Sequence, residues 1–291
     1  MKVSTDRATT PGTIEWAENN WQFTVADAPF WTPLEAGATR VSAEGMQVFK
    51  TRALLEQYMA VFETDQPKTV MELGIHQGGS TALLGALGCF EKVVSIELND
   101  DRLSDLDGFI EGHGLSEVVE AHFGVDQADP NRLTEIIDSG FGGKAIDLVI
   151  DDASHALAPT RVSFDTIFPR LAPGGLYIIE DWAGSHLLAG AARRKIEAKQ
   201  RSAKARKLKR PGAAMAKAMR LANSAPLSIM TTELSLAMIE HRDIIATVTV
   251  DPHWISVRKG TDAPPAAADP DFRLANLYHD DFDLVAVPAA H

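Results

Sequence analysis

Between Thr69 and Ile179 the chain alternates short, β-branched apolar runs with amphipathic stretches of helical length, a pattern that predicts βαβ units and a parallel sheet. The predicted strands are Thr69 to Leu73, Val93 to Leu98, Val118 to Phe123, Ile146 to Asp151 and Leu176 to Ile179, with helices beginning near Gly79, Asp101, Pro130 and Pro159. Each crossover is long enough for a right-handed return. The strand tips carrying Gly74, Glu97, Asp152 and Glu180 should therefore share one carboxyl edge, where open α/β sheets bind ligands. Ahead of this core, Ser42 to Phe62 spaces Met46, Phe49, Leu54, Tyr58 and Phe62 near helical intervals and predicts a covering helix, whereas residues 1 to 41 look irregular. Behind it, Ser228 to Glu240 reads as a helix, and Ile244 to Val250 and His253 to Arg258 as an antiparallel pair closing the sheet around Asp251-Pro252.

The expected fold is α/β: a Rossmann-like doubly wound sheet, mostly parallel with an antiparallel closing strand. An N-terminal helical addition precedes it, and a basic helical insertion, about 186–224, follows the fifth strand. The expected organisation is an N-terminal extension over 1–65, a ligand-binding domain over 66–259, and a linker and tail over 260–291.

With 291 residues, 45% of them hydrophobic, the composition is that of an ordinary globular protein and excludes disorder of the whole chain. No window holds the roughly 18 apolar residues of a membrane span, and the opening residues lack the apolar core of a signal peptide, so a soluble, cytoplasmic protein with no transmembrane segment is expected. A single cysteine, Cys89, excludes an intramolecular disulfide and a cysteine-based metal site, and its apolar setting predicts burial. The net charge of −12 argues against nucleic-acid binding, yet between Arg193 and Arg220 lie twelve Lys or Arg and one acid, Glu197. That run reads as a solvated face or as a lid that would attract an anionic acceptor. It lacks the interleaved aromatics of a single-strand-binding surface.

The segment Glu72-Leu73-Gly74-Ile75-His76-Gln77-Gly78-Gly79-Ser80 is a strand, a glycine-bearing turn and a helix start. Three residues separate its first two glycines, so it is not G-x-G-x-x-G, and an adenosine ligand without phosphates is favoured over a dinucleotide. Glu97 ends the next strand, where a carboxylate can accept bonds from two ribose hydroxyls. With this pairing the chain resembles class I S-adenosylmethionine-dependent methyltransferases, whose first motif is E-x-G-x-x-x-G and whose second strand ends in an acid. The resemblance implies S-adenosylmethionine as cofactor, bound by Glu72, Gly74, Gly78, Ser80 and Glu97, with Asp126 and Gln127 near the adenine. For Asp151, capping a helix, orienting the cofactor and ligating a metal ion all stand open.

A second constellation follows in Asp151-Asp152-Ala153-Ser154-His155 and Glu180-Asp181. If their strands are neighbours, about 4.8 Å apart, Asp152, Glu180 and Asp181 converge, and a hard divalent cation would relieve their repulsion. The D-D-x-S-H and E-D motifs specifically resemble the macrocin-type, metal-dependent sugar O-methyltransferases, with Ala153 where glycine is expected. That resemblance implies Mg²⁺ (or Mn²⁺) on Asp152, Glu180 and Asp181, His155 as general base, and a homodimer as the family-level assembly. Among flanking residues, His76 and His186 read as passive, and Trp182 as either a stacking platform for a sugar or a core or lid aromatic.

The function expected is an S-adenosylmethionine-dependent, divalent-metal-dependent O-methyltransferase acting on a sugar or glycosylated small molecule. A catechol-like or other vicinal-diol acceptor is the alternative within enzymes. A noncatalytic binder of an adenosyl ligand or polyanion is the alternative outside them, and a nicotinamide oxidoreductase stands further off.

Overall fold

A computed structural model describes residues 11–36, 43–184, 186–187, 190–194, 196, 225–262, 269 and 272–278. The first described residues are more ordered than their sequence suggests. They form β1 (Glu15–Trp16), β2 (Gln22–Val25), β3 (Ala28–Trp31) and β4 (Met46–Gln47), one small sheet in which β4 lies parallel to β3. The tight turn at Ala26-Asp27, both at positive φ, joins two strands too short for a clear period-2 signal. The covering helix is shorter than predicted: α1 runs over Arg52–Asp65, capped by Thr51, whose side chain accepts from the Leu54 amide at 3.2 Å. Met46 is drawn out of the helix into β4, and Val48 extends that strand by donating to Trp31 O, so Phe49 and Lys50 arrive on extended chain. Phe23, Phe30, Met46, Leu55 and Phe62 share one buried cluster with Val70, Leu83 and Leu148, so this segment is part of the main core.

The central sheet follows the predicted alternation. Its units are β5 (Thr69–Leu73), α2 (Gly79–Ala86), β6 (Lys92–Ile96), α3 (Ser104–Gly112), β7 (Val119–His122), α4 (Pro130–Phe141), β8 (Ile146–Asp151), α5 (Leu157–Ile167) and β9 (Leu171–Glu180). After it come α6 (Ile229–Glu240), β10 (Ile245–Val250) and β11 (Trp254–Lys259). The strand order is β10-β11-β9-β8-β5-β6-β7, with β5 to β9 parallel and the last two antiparallel to their neighbours. Every residue of β5 is buried, as a strand covered on both faces requires. The chain reverses its winding between β5 and β8, which places a ligand-binding crevice over those two tips. Among the described residues, no helix is long and apolar enough to cross a membrane.

Part of the tail also docks. Phe272, Leu274 and Leu277 are buried in the second core cluster, Leu274–Leu277 forming a 3₁₀ turn. The linker 263–268 and residues 279–291 lie outside the described residues. The Leu274 amide donates to Asp165 on α5 at 2.8 Å, and burial pushes that carboxyl up to about 6. Because Asp165 holds its proton more tightly when folded, its contribution to stability falls as pH rises from about 4 through 6 and is constant above. Replacing Asp165 with Asn keeps the acceptor and removes the titration. Urea unfolding should therefore show wild type losing on the order of 2 kcal/mol relative to Asp165→Asn between pH 4 and pH 7.

Candidate active site

The crevice begins where β5 ends. Gly74 has φ +99°, and a side chain there would sit 2.4 Å from the Asp152 carbonyl oxygen, so only glycine lets the tips of β5 and β8 close on one another. The Asp152 amide donates to Leu73 O, and the Gly74 amide to Ile96 O, each at 2.9 Å, stitching three strand ends together. Gly78 caps α2, and Gly79 abuts Gln47 O so closely that a Cβ would fall 1.8 Å from it. The loop and the helix N-terminus behind it are thus pressed against the strand that delivers Phe49 and Lys50.

Glu72 lies beneath this loop, 1% exposed, and accepts from Thr81 Oγ1 at 2.6 Å and Ser95 Oγ at 2.8 Å. Ser80 bonds to it as well, and burial pushes the Glu72 carboxyl up. The structure therefore gives Glu72 a bracing position under the loop, where it also lines a cavity with Lys50, Tyr58 and Ser80. Glu97 stands at the rim, its Oε2 accepting from the Ile75 and His76 amides at 3.0 and 2.8 Å and its Oε1 from Asn99 at 3.0 Å. Its carboxylate thus ties the glycine loop to the end of β6.

Asp126 and Gln127 divide their work. Asp126 is exposed and accepts from the Ala128 amide at 2.8 Å, the geometry of an Asx turn. Gln127 is buried. Its Nε2 donates to Asp151 and to Ser163 Oγ at 3.2 Å, and its Oε1 accepts from the Ser154 amide at 2.8 Å. Asp151 is 2% exposed and also receives Ser163 Oγ at 2.9 Å and the Tyr177 hydroxyl at 3.1 Å. Burial pushes its carboxyl up to about 6 against those bonds. Neither side chain faces the crevice, and Asp151 caps no helix, since the N-cap of α5 is Ala156. Together they fix the Ser154 to His155 turn from below.

At that turn, one carboxylate oxygen each of Asp152 and Asp181 and a ring nitrogen of His155 lie within 4.8 Å of one another. His155 Nε2 is 3.9 Å from Asp152 Oδ1 and 4.0 Å from Asp181 Oδ2. His155 and Asp181 both have positive φ, +51° and +50°, a backbone conformation that costs energy for non-glycine residues and recurs at functional sites. Two carboxylates with open sides suit a hard divalent cation and leave positions for water and hydroxyl oxygens.

Glu180, the third acid expected to converge there, is not in this group. Asp152 and Glu180 do converge, but on a lysine: Lys50 Nζ donates to Asp152 Oδ2 at 2.8 Å and to Glu180 Oε1 at 2.5 Å. The Tyr58 hydroxyl donates to the same Glu180 oxygen at 2.6 Å. Successive residues at a strand end point to opposite faces, so Glu180 turns in toward α1 while Asp181 turns out, 74% exposed. Burial alone would lower the Lys50 pKa, but Glu180 and Asp152 outweigh it and hold the ammonium above the usual lysine range. Sequence reasoning missed Lys50 because it lay inside a predicted amphipathic helix, where a lysine signals a solvated face.

Around the crevice, the exposed ring of Phe49 meets His76 edge-on at 4.9 Å. Trp182 is half-buried and donates Nε1 to Asp251 O at 2.9 Å, a tether to the turn between β10 and β11. His186 is exposed and pairs with Ser228 Oγ at 3.0 Å. Most of the basic run, from 197 to 224, lies outside the described residues.

Residues 71–182, which include the crevice from Glu72 to Asp181, match the family model described as "Methyltransferase domain". This stretch is thus similar to methyltransferase domains. The chain is also similar to curated proteins. The chain is 49% identical over 61 residues to the 8-demethyl-8-alpha-L-rhamnosyl tetracenomycin-C 2'-O-methyltransferase of Streptomyces olivaceus, covering 21% of this chain and 15% of that one. It is 50% identical over 56 residues to the demethylmacrocin O-methyltransferase of Streptomyces fradiae, covering 19% and 13%. The aligned parts are thus a small share of those relatives' own lengths. Among solved structures, the MycE methyltransferase in complex with Mg, SAH and mycinamycin VI overlays with a TM-score of 0.48 at 20% identity, covering 74% of this chain and 51% of that one.

The bracing position of Glu72 gives the matched stretch a stability requirement that a residue exposed in the crevice would not. Glu72→Ala strands two buried hydroxyls and should lower unfolding free energy by about 2–4 kcal/mol, with Glu72→Gln costing less, as read by urea denaturation.

Proposed function

We propose that this chain is an S-adenosylmethionine-dependent O-methyltransferase that methylates a sugar hydroxyl of a glycosylated small molecule, using a divalent cation and His155 as general base. The observation that carries the reading is a single sheet edge that combines the glycine loop and Glu97 with Asp152, His155 and Asp181, all within a matched methyltransferase domain. The curated relatives, one named for 2'-O-methylation of a rhamnosyl compound, support a sugar hydroxyl as acceptor.

In this reading Glu97 accepts the ribose hydroxyls of the cofactor, exchanging its present bonds to the Ile75 and His76 amides for them. The α2 N-terminus and its glycines allow close backbone approach. Asp152 and Asp181 would hold a divalent cation, Mg²⁺ or Mn²⁺, whose chemistry is to acidify and orient a hydroxyl. His155, which lies beside both carboxylates, would take the hydroxyl proton on Nε2. The cofactor, when bound, would supply a sulfonium-activated methyl group to the acceptor oxygen, its sulfur keeping the electron pair of the broken carbon–sulfur bond. Gln127 and Asp151 keep the histidine turn in place throughout. Holding the oxygen in line with the methyl group supplies much of the rate.

Calorimetric titration with S-adenosylhomocysteine should show binding, weakened at least about tenfold in Glu97→Ala, which removes a charged acceptor. His155→Ala should keep that binding and lose turnover by about 10²–10⁴-fold on a panel of rhamnosylated, olivosylated and catechol acceptors. Turnover that a chelator leaves unchanged would remove the metal from the mechanism, and transfer confined to the catechols would remove the sugar.

A further inference from the structure

Lys50 comes from outside the matched methyltransferase domain, yet its ammonium sits at the domain's acidic edge. It is 5% exposed and lies between one oxygen of Asp152 and one of Glu180, with the Tyr58 ring 5.6 Å away and the Tyr58 hydroxyl on the same Glu180 oxygen. A buried ammonium carries three N–H donors that need partners. This one takes both acids that β8 and β9 deliver in register, Asp151 being paired with Ile179 and Asp152 following opposite Glu180. Asp152 is shared: Oδ2 faces the lysine and Oδ1 faces His155. A cation bound by Asp152 and Asp181 would meet the lysine charge across one carboxylate, and like charges at that separation repel strongly where water is scarce.

We propose that Lys50 is a built-in cation that competes with a divalent metal ion for Asp152 and Glu180, and so sets how tightly the acidic edge holds that ion. The inference rests on the metal-assisted reading given above. In the lysine-bound arrangement the ion has Asp152 Oδ1, Asp181 and His155 within reach, and Glu180 is withheld. Removing the ammonium leaves Asp152 Oδ2 and Glu180 Oε1 without their shared cation and opens both oxygens to the ion.

The test is Mn²⁺ titration of the full chain, by calorimetry and by electron paramagnetic resonance, without cofactor or acceptor. Lys50→Met should bind Mn²⁺ at least about tenfold more tightly than wild type, since a divalent ion gains both charge and ligand. Lys50→Arg should stay close to wild type, and adding Glu180→Gln to Lys50→Met should remove most of the gain. Should Lys50→Met fail to fold, Lys50→Gln keeps a donor for Glu180, drops the charge and carries the same expectation. A folded Lys50→Met or Lys50→Gln with unchanged or weaker Mn²⁺ affinity overturns the proposal, because a purely structural lysine would lower the melting temperature and leave metal affinity alone. S-adenosylhomocysteine titrated into the same samples separates the two levels. Wild type that binds it and Mn²⁺, with no gain on losing Lys50, sinks the lysine's role alone. No Mn²⁺ binding in any variant sinks the metal site as well, and no S-adenosylhomocysteine binding sinks the methyltransferase reading.

Discussion

The close approach of β5 and β8 at Gly74 is the constraint on which the rest depends. A side chain at that position would meet the Asp152 carbonyl at 2.4 Å, so its absence is what lets the two strand tips meet. From this contact follow the direction of the loop toward Glu97 and the position of Asp152 beside the incoming cofactor cleft. The sheet reverses its winding at the same pair of strands, so backbone topology and side-chain chemistry coincide at one place.

Beneath the edge runs a layer of buried, mutually hydrogen-bonded polar residues. Glu72 ties α2 to β6 through Thr81 and Ser95, and Gln127, Asp151, Ser163 and Tyr177 tie the β7 and β8 loops to α5 and β9. Such groups are costly to bury and are tolerated where each is satisfied. Their effect is to leave the crevice loops few alternative conformations, including the left-handed backbone at His155.

The central sheet was legible because long hydrophobic periods and glycine-marked turns are local signals. β5 and β8 have the predicted ends, and α2 and α4 begin where expected, the latter at a Pro130 preceded by a capping Asp129. Residues 11–36 were illegible because two- to four-residue strands carry almost no period and gain their order from shared burial with Phe23 and Phe30. The same reason hid Lys50: the helical spacing of Met46 and Phe49 was coincidental, and the pairing of Met46–Gln47 with β3 draws this stretch out as extended chain. At the site, motif spacing located Asp152, His155 and Asp181, but it could not distinguish a side chain at the rim from one beneath it. Glu72, Gln127 and Asp151 are buried, and Glu180 is paired with Lys50.

The dependence of the acidic edge on a residue ahead of α1 has a bearing on how this architecture can be divided. A fragment trimmed to the βαβ unit would keep both carboxylates and lose their counter-charge. It would also uncover the face of α2 and β5 on which Phe23, Phe30 and Leu55 rest. The front segment is therefore no detachable ornament but an electrostatic and apolar half of the same module, and the two halves are constrained to change together.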